Sequence, residues 1–75
     1  MRVLTQHDIA INRIESELGQ IPTSPIPTNM AERACMAAFF SCELLVITSA
    51  ERDAFVKRIR AAELIRFLEL LKVAA

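Results

Sequence analysis

The chain has 75 residues, with Lys+Arg at 9 and Asp+Glu at 9, so its formal net charge is zero. That length holds one domain at most, and the balanced charge argues against a protein that grips polyanions through a general excess of cations. A hydrophobic fraction of 53% is more apolar surface than so short a chain hides alone, which points to association with another subunit.

The first predicted element covers about residues 5–18, in "LTQHDIAINRIESELGQ". Thr5 can cap it, with Asp8 three residues on as a capping-box partner. His7, Ile11, Ile14 and Leu18 fall on one face at helical spacing, and Asn12, Arg13, Glu15, Ser16 and Glu17 line the rest. This is an amphipathic helix with one buried face, and Gly19 is its natural stop. His7 reads as a residue at the edge of the core. No Cys, Asp and Ser constellation accompanies it, so nothing nominates it as a base or a ligand.

Residues 19–28 form a proline-rich connector. Pro22, Pro25 and Pro27 fix φ and remove three donors. Ser24 and Ile26 each precede a proline and are biased toward extended backbone. "PTSP" formally matches PxxP, but the plainer reading is a stiff link that sets the direction of the first helix.

The second helix is predicted over about residues 30–47. Asn29 and Glu32 stand at capping-box spacing. One side carries small residues, Ala31, Ala34, Ala38, Ser41 and Cys42. The other carries bulk, Met36, Phe39, Phe40, Val46 and Ile47. A helix apolar nearly all round is central in a bundle or in a membrane. Glu32, Arg33 and the internal Glu43 argue against the membrane. Cys35 and Cys42 lie seven residues apart, about 10 Å along a helix, too far for one disulfide. They read as small buried apolar residues. With His7 they lack the spacing of a zinc site.

The third helix is predicted over about residues 49–73. Thr48 and Glu51 make another capping box, and the join to the second helix is one or two residues, which makes the pair a hairpin. Asp53 with Lys57, Arg60 with Glu63 and Glu69 with Lys72 are at ion-pair spacing. Arg52, Lys57, Arg58 and Arg60 suggest a recognition helix, yet on the wheel they do not form one stripe, and acids are interleaved. The apolar pattern is more informative. Phe55, Val56, Ile59 and Ala62 share one face; Leu64, Phe67, Leu68 and Leu71 share another, rotated by more than about 90°. No proline or glycine explains a kink, so each half is expected to meet a different neighbour.

The sequence therefore predicts an all-α protein of three helices, assembling as a homodimer. The expected interface is Phe39, Phe40, Leu64, Phe67, Leu68 and Leu71. The expected function is a small non-enzymatic interaction module, a regulator, adaptor or inhibitor, with a second protein as a further possible partner. A DNA-binding regulator using Arg52, Lys57, Arg58 and Arg60 is one alternative, and a structural assembly subunit the other. No cofactor or metal is expected. Met1-Arg2-Val3 is not followed by the apolar run of a secretory leader, and with no disulfide pattern the expected location is the cytoplasm.

Overall fold

A computed structural model of the chain describes residues 3–74. They form three α-helices and one short turn of 3-10 helix: α1 Gln6–Gly19, the turn Ile21–Thr23, α2 Pro27–Glu43 and α3 Ser49–Ala74.

The helix starts follow local chemistry. At α1 the Thr5 hydroxyl accepts from the Asp8 N–H, and the Asp8 carboxylate accepts from the Thr5 N–H, both at 3.1 Å. Thr48 and Glu51 make the same reciprocal pair at the start of α3, at 3.1 and 2.9 Å. Each box satisfies donors that a helix start leaves open.

The second helix departs from the expected 30–47. It begins at Pro27, with Ile26 as its cap and no side-chain cap bond. Proline suits the first helical position, where its missing N–H is not needed and its fixed φ is already helical. Asn29 is therefore inside the helix, and the connector shrinks to about the 3-10 turn plus Ser24, Pro25 and Ile26. Ser24 is extended, as its proline neighbour requires. The helix ends at Glu43 because Leu45 takes a positive φ of 61°. The N–H of Leu45 then bonds the carbonyl of Cys42 and that of Val46 the carbonyl of Ser41, both at 2.9 Å, which closes the end as a Schellman motif. The join to α3 is residues 44–48, longer than expected, and Ile47 within it is buried. Gly19 does not take a left-handed conformation; α1 runs through Gln20 directly into the 3-10 turn.

Ion pairs fix the directions of the helices. His7 meets Glu51, and Arg58 meets Glu15, so α1 and α3 run parallel. Arg60 meets Glu32, while Arg52 lies over Phe39 and reaches Cys42, so α2 is antiparallel to α3 and hence to α1, against which Arg33 meets Glu17. The core is Ile14 and Leu18 of α1, Ile21 of the turn, Ala31, Ala34, Cys35 and Ala38 of α2, Ile47, and Phe55 and Ile59 of α3. The small side of α2 thus faces inward. Alanines let its backbone approach the larger Ile14, Ile21 and Ile59, all 0% exposed, and fill the remaining volume at close packing. Burial pushes the Cys35 thiol up from its ordinary range, consistent with an unionised apolar filler.

A 26-residue helix is about 39 Å long. That is well beyond the length of α2, and the principal extents are 47 × 28 × 15 Å. The register of Glu32 against Arg60 places the start of α2 level with about residue 65 of α3. Past that level only the connector flanks α3. There the Arg66 Nε donates to the Ser24 carbonyl at 2.8 Å. The distal part of α3 projects from the bundle.

Candidate functional surfaces

The six residues expected at an interface are all exposed, and the structure separates them into two groups. Leu64, Phe67, Leu68 and Leu71 lie on the distal half of α3. With Ile65 they are between 48% and 60% exposed. They sit at i, i+3, i+4 and i+7, forming one ridge about two turns long. The proximal half uses the opposite side of the helix: Phe55 and Ile59 are buried, Val56 and Ala62 partly so. Two faces on one unbroken helix account for the shift in apolar pattern; no kink is needed.

Phe39 and Phe40 lie far from that ridge, on the part of α2 that accompanies the start of α3. Phe39 stands under the Arg52 guanidinium, 5.7 Å from it. Phe40 points the other way, into a groove between α1 and α2. This groove has a volume of about 830 Å³, and its apolar walls include Ile9, Met36, Phe40 and Leu44, each more than half exposed. The sequence marks Met36 and Phe40 as one bulky side, but Ile9 and Leu44 join them only through the antiparallel placement of α1 and α2.

One end of the groove is closed by charge. Glu17, 5% exposed, accepts from Arg13 at 3.2 Å and Arg33 at 3.5 Å, both on Oε1. Its Oε2 is buried and has no partner. Two guanidiniums against one carboxylate leave one positive charge over. The other end, at Gln6 and Ser41, is polar and uncharged.

The basic residues of α3 are largely engaged. Arg58 grips Glu15 with two bonds, at 2.5 and 3.1 Å, and this holds the Glu15 carboxyl below its ordinary range. Arg60 bridges Glu63 at 3.0 Å and Glu32 at 3.2 Å. Arg52 pairs with Asp53 at 2.9 Å, taking the acid expected to serve Lys57. Likewise Glu69 pairs with Arg66, not with Lys72. His7 is half exposed and lies 2.7 Å from Glu51 across the α1–α3 contact.

Among the described residues no group of three or more His, Cys, Asp and Glu side chains could hold a metal ion, and no helix is long and apolar enough to cross a membrane. No protein-family model, curated protein or solved structure matches the chain.

Proposed function

We propose that this chain is a small, non-enzymatic helical interaction module of the cytoplasm. It acts as a regulator or adaptor by offering the distal ridge of α3 to another helical surface, first of all on a second copy of itself. The observation that carries this reading is the ridge. Its four large apolar side chains and the adjoining Ile65, each about half in water, expose on the order of 500 Å² of apolar surface. That matches the largest apolar patch of an ordinary monomer, which is often a functional surface, on a protein of only 8.4 kDa.

The surface area of the chain is large for its mass. It exposes 5367 Å², whereas a folded monomer of its mass exposes about 4600 Å². The larger area goes with the elongated shape, 47 × 28 × 15 Å, that the projecting half of α3 gives the molecule. The DNA-binding alternative has less support, because a guanidinium already shared with a carboxylate releases little counterion on meeting a phosphate, and Arg52, Arg58 and Arg60 are all so engaged.

Light scattering at micromolar concentration tests the proposal: the wild type should run larger than one chain. Leu68→Glu, which sets a carboxylate in the ridge, should weaken self-association by more than about tenfold, since an unpaired buried charge costs well above 1.4 kcal/mol. An unchanged particle mass in that variant would move the interface off α3.

A further inference from the structure

We infer that the α1–α2 groove of one copy receives the distal α3 ridge of another, so that copies join head to tail. The inference rests on the self-association proposed above and names the surface that receives the ridge.

The chain carries two large unpartnered apolar surfaces, one convex and one concave. The ridge spacing of Leu64, Phe67, Leu68 and Leu71 is that by which an amphipathic helix anchors in a hydrophobic groove. The groove walls run from Gln6 to Glu17 on α1 and from Arg33 on α2 to Leu44 just past its end, about 17 Å on each side. The two-turn ridge spans about 11 Å, so it fits within the groove. The ridge cannot fill the groove of its own chain. The proximal half of α3 is packed against the bundle through Phe55 and Ile59, and the rigid helix carries its distal half outward from there.

Ridge against ridge is the simpler symmetric contact, but it covers less. Two convex ridges of two turns meet along a short line and leave Ile9, Met36, Phe40 and Leu44 in water. Ridge in groove covers both patches, so that the half-exposed apolar side chains of α3 and those of the α1–α2 groove leave water together. Such a contact is heterologous. It propagates into rings or open chains unless the geometry closes it.

Complementation separates the two arrangements. Phe40→Glu spoils the groove and keeps the ridge; Leu68→Glu spoils the ridge and keeps the groove. Both positions are exposed, and circular dichroism verifies that each variant is folded, with Met36→Glu as a second groove variant. Head-to-tail joining predicts that each variant alone is a single chain. An equimolar mixture then yields one species at twice the 8.4 kDa chain mass and nothing larger, because only one intact ridge and one intact groove meet. If folded Phe40→Glu and Met36→Glu assemble as the wild type does, the ridge has another receiver and the inference fails while self-association stands. If the wild type itself is a single chain at all concentrations tested, self-association and the inference fail together, and the two surfaces serve other proteins.

Discussion

Leu45 is the one non-glycine residue with a positive φ among the described residues, at 61°. A left-handed conformation costs a side-chain-bearing residue about 1–2 kcal/mol. The leucine gains little in return within one chain, because it is 90% exposed. Leu45→Gly should therefore raise stability by about 1 kcal/mol, after allowing for glycine's greater freedom when unfolded. The midpoint of urea unfolding reads this directly. A lower midpoint would mean that the side chain is covered in solution. This position was hidden in the sequence. The only glycine, Gly19, was the obvious helix stop, yet it sits in ordinary helix, while the special conformation falls on a leucine that no residue preference marks. Glu17 was hidden in the same way. Its polar neighbours Glu15 and Ser16 stay in water, and only the packing of the three helices makes Glu17 a buried acid.

At the scale of the element, α3 has two halves, one buried through Phe55 and Ile59 and one exposed through Leu64, Phe67, Leu68 and Leu71. Ile59→Ala empties a fully buried site and should cost about 3 kcal/mol. Leu68→Ala, measured at concentrations too low for assembly, should change stability by less than about 0.5 kcal/mol. Denaturant unfolding of the two variants side by side checks the contrast; a large loss for Leu68→Ala would place it in the core of the single chain. The division of α3 was legible because helical periodicity records which positions share a face, whatever lies against them. The bounds of α2 were not. Asn29 and Glu32 imitate a capping box inside the helix, and Pro27, counted with the connector, is the helix's first residue. Nor does periodicity say which side of α2 turns inward. Bulk suggested a core or an interface, but close approach to Ile14, Ile21 and Ile59 selected the alanines.

For the whole molecule, the ties between α1 and α3 make stability depend on acid. Glu15 is held below its ordinary range chiefly by Arg58, and Glu51 chiefly by the Thr48 N–H and then His7. Carboxylates with a depressed folded pKa stabilise the fold above their unfolded value near 4.5. That stabilisation is lost as pH falls through the lower folded value. Stability should thus fall as the pH drops below about 4.5. Arg58→Ala should remove the Glu15 part, which is under about 1 kcal/mol because both side chains are about half in water. Urea midpoints at pH 7 and pH 3 for wild type and variant check this; an identical acid loss in both would assign it to other groups. Charge pairing of this kind joins residues 43 positions apart, which is why the sequence showed only the local pairs.

The projecting half of α3 also has a kinetic meaning. Starting a helix is costly, and extending one is nearly free of that cost. The packed half, held by Phe55 and Ile59, already supplies the nucleus, so the exposed half can grow from it without a separate initiation. Its root is held by the bond from Arg66 to the Ser24 carbonyl. A partner binding there would meet a helix that already exists, and would lose less ordering entropy than by folding a free peptide of the same sequence.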